Sequence, residues 1–333
     1  MTQADSRTTR LRTLADLIVE SDDDLWAGRG ISTAVVPTGM LAIDEALAGG
    51  FRSGELVLLA GTQGLGKTTF ALQIVRNVAH EGGRAVMFSY EHASGTLLER
   101  LLSLEAAAAG STAPVHAIRR ALERPGPGGL AARLDSVPGG AAALRAVTTY
   151  ADRLYLVEAT ARHTDLDEIE RVVRQVHGDG REPVLVAVDY LQKVPVHGVP
   201  DEERTTVVVE ALKDLTLTLD LPVLAIVASE KDSLAPGRRM RAQDLRGSSA
   251  LAYEADIILV MADKHAIVAR HHLLYDSVSA QRFHDWVVVT VEKNRHGVGG
   301  VDLEFEKHLE SGRFHPQGRR VQETLIEERV FIE

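Results

Sequence analysis

Gly61-Thr62-Gln63-Gly64-Leu65-Gly66-Lys67-Thr68, preceded by the apolar run Leu56-Val57-Leu58-Leu59-Ala60 and continued by the stretch Lys67 to His80, decides the fold. It matches G-x-x-x-x-G-K-[ST] and stands directly after a strand pattern and directly before a helix pattern, the context in which that motif has a mechanical meaning. The glycines let backbone N–H groups turn inward around phosphate oxygens, and the helix N-terminus adds the positive end of its dipole. Lys67 is the residue to reach the β and γ phosphates, and the Thr68 hydroxyl is the residue to bind Mg²⁺. The candidate nucleotide-binding set is Gly61, Thr62, Gln63, Gly64, Leu65, Gly66, Lys67, Thr68 and Thr69. The bland alternative, a glycine turn followed by a chance Lys-Thr, has no use for both flanks.

Outward from this loop the pattern alternates. A helix is expected around Gly39 to Leu47, another over Lys67 to His80, and a strand at Ala85-Val86-Met87-Phe88. Further buried-strand candidates are Leu154 to Val157, Val184 to Val188, Val223 to Ala228, Ile257 to Met261 and Trp286 to Val291. Continuous apolar runs of this length, separated by helical patterns, predict an α/β fold with a mainly parallel central sheet and helices on both faces. Val287 to Val291 and Val301 to Phe305, around His296-Gly297, predict an antiparallel hairpin at the C-terminal edge of that sheet. Residues 106 to 150 are Ala-rich and broken by Gly and Pro, with short helical pieces at Val115 to Leu122 and Ala141 to Tyr150, and read as a helical excursion within the domain. Ahead of residue 33, Leu11, Leu14 and Ile18 fall at helical spacing, so residues 7 to 20 are expected as a small amphipathic helix before an acidic linker, Asp22-Asp23-Asp24. The expected organisation is therefore a helix and linker over 1–32, an α/β domain carrying the phosphate loop over 33–315 and a C-terminal tail over 316–333.

A phosphate loop needs an acidic residue at the end of a buried strand to hold the metal, and Val184-Leu185-Val186-Ala187-Val188-Asp189 supplies Asp189. A strand-terminal Asp is often only a helix cap, and the loop is what raises Asp189 above that reading. Hydrolysis also needs a group to deprotonate water, and a carboxylate ending the strand beside the loop's strand is expected to serve. Phe88-Ser89-Tyr90-Glu91 offers Glu91, against the alternative of an exposed loop carboxylate.

Composition excludes several classes. Of the 333 residues, 45 % are hydrophobic and 25 % charged, with 28 Gly, 11 Pro and no low-complexity block, which rules out a collagen-like or disordered chain. No Cys is present, so thiol catalysis, disulfides and Cys-based metal sites are excluded. No window is long and apolar enough for a membrane span and no signal-peptide core is visible, so a cytoplasmic protein without membrane contact is expected. Lys plus Arg (37) against Asp plus Glu (47) gives a net charge of −10, so any nucleic-acid contact must come from a local basic patch.

The motif order carries a resemblance. Thr68-Thr69-Phe70-Ala71-Leu72 after the glycines, Ser89-Tyr90-Glu91, Asp189-Tyr190-Leu191-Gln192, Asp244-Leu245-Arg246 before Glu254-Ala255-Asp256, and Lys293-Asn294-Arg295-His296-Gly297 follow one another as in the RecA-like ATPase domain of DnaB-type replicative helicases. The chain resembles that family over about residues 33 to 315. The resemblance implies a RecA-like P-loop NTPase fold and a homo-oligomer, a ring (a hexamer in most of the family) or a filament, with ATP and Mg²⁺ between subunits and hydrolysis coupled to movement on single-stranded DNA. It further implies that Glu91 is the catalytic base, Asp189 the metal-holding acid, and Lys293 and Arg295 cations acting on a neighbour's nucleotide. Without the family, those two cations read as an ordinary solvated hairpin.

DNA contact in the family comes from loops facing a central channel, and the matching segment, about residues 231 to 250, holds Lys231, Arg238, Arg239, Arg241 and Arg246 against Asp232 and Asp244. Backbone groups of Arg246, Gly247, Ser248 and Ser249 are further candidates.

The chain also departs from the family. The residues ahead of the core are too few for the family's additional N-terminal domain, and the strand-end Ser-Gln that senses the γ-phosphate reads Ser229-Glu230. Glu230 thus puts a carboxylate where the family has an amide. Residues 263 to 286 are longer than the family's hairpin and contain His265, His271, His272 and His284. Adjacent His271 and His272 point in different directions, so a solvated loop is preferred there over a metal site. The rival functional reading is an oligomeric assembly switch or scaffold for a protein partner of unknown identity, without unwinding; a small-molecule kinase fits the loop but not Lys293 and Arg295.

Overall fold

The computed structural model describes residues 13–27, 34–178, 180, 182–228, 239–245, 248–269, 272 and 281–326. The chain divides into two compact units, 1–34 and 35–333. In the first, helix α1 spans Leu14–Trp26, started by a capping box in which Thr13 and Asp16 exchange hydrogen bonds. The helix expected over 7–20 is thus shifted towards the C-terminus, residues 7–12 lying outside the described set, and Asp22, Asp23 and Asp24 are helical rather than a linker. The cap fixes the start, and nothing before Ala27 breaks the turn-by-turn hydrogen bonding.

The second unit opens on a two-stranded ribbon, β1 (Val35–Val36) with β2 (Phe51–Arg52), which brackets helix α2 (Leu41–Ala46). The main sheet follows: β3 (Leu56–Gly61), α3 (Lys67–His80), β4 (Arg84–Ser89), then the helical excursion α4 (Ser94–Ala108), α5 (Val115–Glu123), α6 (Leu130–Leu134) and α7 (Gly140–Thr148). Next come β5 (Leu154–Glu158), α8 (Leu166–His177), β6 (Val184–Asp189), α9 (Asp201–Leu219), β7 (Val223–Ile226), α10 (Ser248–Glu254), β8 (Ile257–Asp263) and α11 (Lys264–Ile267). The chain ends in β9 (Trp286–Asn294), β10 (Val301–His308), β11 (Arg313–Phe314) and β12 (Arg319–Arg320).

The strand order is β11-β10-β9-β8-β3-β7-β6-β4-β5, with β12 also on β10. Strands β8, β3, β7, β6, β4 and β5 are mutually parallel, and β9 to β12 form the expected antiparallel wing. Every residue of β3 is buried because its two faces meet two separate cores. Val57 and Leu59 point into the layer with α2 to α7, while Leu56, Leu58 and Ala60 point into the layer with α8, α9 and α10. Phe70, on the helix after the phosphate loop, meets Phe305 and Phe314 edge-on at 5.6 and 5.1 Å, so burial worth roughly 2 to 3 kcal/mol couples that helix to the antiparallel wing.

One expectation fails. The strand β4, read from sequence as the neighbour of β3, is separated from it by β7 and β6. Successive strands in a doubly wound sheet need not pair, because each crossover helix can carry the chain past positions filled later. Residues 319 to 325 also fold back: β12 pairs with β10, and Leu325 bridges Val268.

Candidate functional site

The strand order sets the site. A cleft of about 1150 Å³ opens at the C-terminal ends of β3, β7, β6 and β4, lined in turn by Gly61, by Ile226 to Ala228, by Asp189 and by Glu91. This is the crevice in which doubly wound sheets hold ligands. Its floor is the loop between β3 and α3.

Gly66 ends the loop at φ +88°, a conformation that favours glycine, and a Cβ there would press on Leu309 Cδ2 at 2.7 Å and Phe314 Cζ at 3.0 Å. Gly64 has φ +84° and open space where a side chain would project, which leaves its backbone approachable by a phosphate. The Lys67 ammonium donates to the carbonyls of Gly61 (2.7 Å) and Thr62 (2.9 Å), folded over the loop it would share with phosphates. Burial holds its pKa below the ordinary lysine value, partly offset by Asp189 and Glu91.

The Thr68 hydroxyl donates to Asp189 Oδ2 at 2.8 Å. Asp189 is 1 % exposed, and burial pushes its carboxyl up to about 6; the Thr68 hydrogen bond opposes this, Glu91 adds to it, and Lys67 and Arg100 pull it back. A hydroxyl and a buried carboxylate, oxygen donors both, in a site that penalises the carboxylate's negative charge, suit a hard divalent cation such as Mg²⁺. Glu91 follows β4, whose last residue Ser89 pairs with Asp189, so the two carboxylates share one rim of the cleft. The Lys193 ammonium stands 3.7 Å from the Glu91 carboxylate. Gln192 pins the neighbouring strand end, accepting from the Ala228 N–H at 3.0 Å.

Sequence reasoning missed two cations. Arg100 on α4 and Arg119 on α5 both line the cleft, and Glu99 accepts from the Arg119 guanidinium at 2.8 Å. Arg100 lies among buried leucines, Leu97, Leu101, Leu102 and Leu104, and burial lowers its pKa while Asp189 and Glu91 attract its charge. A polar residue inside a leucine stripe was the available sign.

Lys293 and Arg295 are elsewhere. Asn294 pairs with Ile257, the first residue of β8, whereas the phosphate loop leaves the far end of β3. Lys293 Nζ donates to the carbonyls of Ala252 (2.7 Å) and Ala255 (2.5 Å) at the C-terminus of α10. Arg295 donates to Tyr253 O at 2.9 Å and pairs with Asp256 at 3.2 Å. Asp256 is itself fixed by Lys213 (2.7 Å) and the Leu56 N–H (2.8 Å).

The basic segment is corrected in part. Arg239, expected at a nucleic-acid surface, is 6 % exposed; it pairs with Asp302 and donates to Thr290 Oγ1 at 2.7 Å, so its charge is spent on joining the segment to β9 and β10. Arg241 pairs with Glu292 at 2.5 Å and is only partly exposed. Both acidic partners sit on the antiparallel wing, out of reach of any local count of charges. Ser249 is exposed in α10, while Glu230, Lys231, Asp232, Arg238, Arg246 and Gly247 lie outside the described residues.

Among the described residues no helix is long and apolar enough to cross a membrane. The sequence model of the family described as the DnaB-like helicase C-terminal domain matches residues 35–315. The replicative DNA helicase DnaB of Rhodothermus marinus is 29 % identical over 291 residues, 83 % of this chain and 28 % of that protein. That of Geobacillus stearothermophilus is 26 % identical over 324 residues, 95 % of this chain and 64 % of that protein. The chain thus spans between about a quarter and two thirds of these relatives. Among solved structures, a DnaB-like replicative helicase, described with its interactions with primase, superposes with a TM-score of 0.70 at 19 % identity, covering 91 % of this chain and 68 % of the other. A KaiC-like protein of Pyrococcus horikoshii superposes with a TM-score of 0.54 at 18 % identity over 85 % of this chain and 98 % of the other. Both carry the same RecA-like fold.

Proposed function

We propose a function from the premise that this chain belongs to the DnaB-like helicase C-terminal domain family, whose sequence model covers residues 35–315: it is a Mg²⁺-dependent motor ATPase acting on single-stranded DNA. It works in the cytoplasm as a homo-oligomer, a ring of six or a filament, with ATP between neighbouring copies. The observation that carries this reading is the division of the machinery between two ends of one sheet. The phosphate loop, Asp189 and Glu91 meet at one end, and Lys293 and Arg295 sit at the other.

In this reading Lys67 leaves the Gly61 and Thr62 carbonyls and donates to the β and γ phosphates. Thr68 and Asp189 hold Mg²⁺, which when bound neutralises charge on those phosphates. Glu91 accepts the proton of the attacking water, with the Lys193 ammonium 3.7 Å from its carboxylate. A neighbour's Arg295 and Lys293 meet the charge spreading over the transferring group, so turnover depends on assembly. Lys293 and Arg295 rest on carbonyls at the C-terminal end of α10, contacts they would exchange for a neighbour's phosphates.

The test is ATP turnover with and without single-stranded DNA across a salt series, with the assembly state recorded in the same buffer. Stimulation by DNA that fades as salt rises supports the motor. The burial of Arg239 and the pairing of Arg241 favour one other reading, an assembly switch without unwinding, because they remove two cations from the DNA patch. Turnover that follows assembly and ignores DNA at every salt concentration would select the switch.

A further inference from the structure

The connection from β8 to β9 takes no part in the function above, yet its two ends meet. Asp263 closes β8, His265 lies in α11, and His284 lies in the short helical turn before β9. The two imidazole rings stack with centroids 3.8 Å apart and planes 21° from parallel. One ligand atom from each of Asp263, His265 and His284 lies within 4.8 Å of the other two. Met261 pairs with Gly61, so this cluster is at the same end of the sheet as the phosphate loop, but none of the three residues lines the nucleotide cleft.

We infer that Asp263, His265 and His284 form a site for one divalent transition-metal ion of the Zn²⁺ class, distinct from the oxygen-lined place for Mg²⁺. Two imidazole nitrogens with one carboxylate are the donor set that Zn²⁺ and its neighbours prefer and that Mg²⁺ does not. The carboxylate is already oriented: the Ala266 N–H donates to Asp263 Oδ1 at 3.2 Å and Lys307 Nζ to Oδ2 at 2.7 Å. Each oxygen keeps a lone pair for a cation, and such outer hydrogen bonds are what hold ligating carboxylates in place. Around a tetrahedral ion with bonds of about 2.0 to 2.2 Å, ligand atoms stand roughly 3.3 Å apart, so the stacked rings must turn out of parallel to aim one nitrogen each at the ion. His284 is exposed and the other two residues are partly so, which gives the ion a path in. From sequence a solvated loop is preferred here over a metal site; the structure stacks His284 on His265, from the opposite end of the connection. The bound ion clips residues 263 and 284 together.

The test uses the full chain, free of any polyhistidine tag, in excess Mg²⁺. Zn²⁺ binding is read by competition with a chromophoric chelator, and Co²⁺ binding by its visible absorption. The expected result is one equivalent of Zn²⁺, retained in His272→Ala and Lys67→Ala and weakened at least a hundredfold in His265→Ala and in His284→Ala. At a hundredfold excess over Kd the melting temperature of the unaltered chain rises by roughly 5 °C, and that of the two variants does not. Because a variant can fail for lack of folding, the Co²⁺ spectrum of the unaltered chain is a second readout: intense four- or five-coordinate bands are expected. Absence of a tight equivalent, its retention in both histidine variants, or a Co²⁺ spectrum like that of the aquo ion would each overturn the site.

Discussion

Thr68 Oγ1 donates a 2.8 Å hydrogen bond to Asp189 Oδ2 across 121 positions of sequence. The bond joins the first turn after the phosphate loop to the end of the β6 strand, and it does so at a carboxylate that is almost wholly buried. That burial costs the nucleotide-free protein stability, because a carboxylate out of water favours its proton.

The pH dependence follows from that cost. The Asp189 carboxyl is raised from 3.8 to about 6, so between those pH values the folded chain holds more protons than the unfolded one and stability falls as pH rises. Above about 6 the full cost stands, at most roughly 3 kcal/mol. Asp189→Asn keeps an acceptor for Thr68 and removes the charge. The variant is expected to melt higher than the parent above pH 6 without nucleotide, with the difference shrinking towards pH 4, while ATP turnover is lost. Thermal melts across that range check it, and a variant less stable than the parent at neutral pH would refute it.

The two-ended layout predicts complementation. Strands of six residues span about 20 Å, so Arg295 is that far along the sheet from its own phosphate loop. Lys67→Ala and Arg295→Ala should each reduce turnover about 100- to 1000-fold alone. Mixed in equal amounts and allowed to exchange, they should recover about a quarter of the parent rate, since one interface in four then joins an intact loop to an intact arginine. No recovery in a mixture proven to contain hetero-oligomers would place Arg295 outside the neighbour's site.

Arg239 is expected to behave as a core residue. Its guanidinium is buried against Asp302 and Thr290, so Arg239→Ala leaves Asp302, 27 % exposed and still accepting from the Thr290 hydroxyl, without its cation and should cost about 1 to 3 kcal/mol of unfolding free energy. Arg239→Met with Asp302→Asn should recover most of that loss. Urea unfolding measures both, and the salt slope of DNA binding, unchanged in the folded double variant, separates this role from a phosphate contact.

How far the sequence reaches is clear from particular residues. The helix after the phosphate loop starts at Lys67 and ends at His80 as read, because glycines before it and the Gly82-Gly83 turn after it are local instructions. The antiparallel wing was legible from Val287 to Val291 and Val301 to Phe305, a near-continuous apolar run and an alternating one that flank glycines. The place of β4 was not, since pairing depends on which crossovers fill the gap later in the chain. Arg239 looked like one more cation in a basic run, and its partner Asp302 lies 63 residues on, in a strand whose register no local pattern encodes. His265 and His284 illustrate the same limit, being brought face to face by the pairing of β8 with β9.

Arg100 gives the last prediction. Its guanidinium is desolvated on α4 and attracted by both Asp189 and Glu91, while Arg119, tethered to Glu99, repels it. A cation held in a cleft with two carboxylates is available to a polyphosphate, and a charge-assisted hydrogen bond to it contributes about 1.5 to 3 kcal/mol. Arg100→Ala is therefore expected to weaken ATP binding about 10- to 100-fold, with Arg100→Lys intermediate because the ammonium keeps the charge but not the fork. The same change removes a group that pulls the Asp189 pKa down, so that carboxyl should titrate still higher in the nucleotide-free variant. Calorimetry for the nucleotide and a pH titration of Asp189 by NMR read the two effects separately. A higher Asp189 pKa with unchanged ATP affinity would leave Arg100 as a neutraliser of the carboxylates alone.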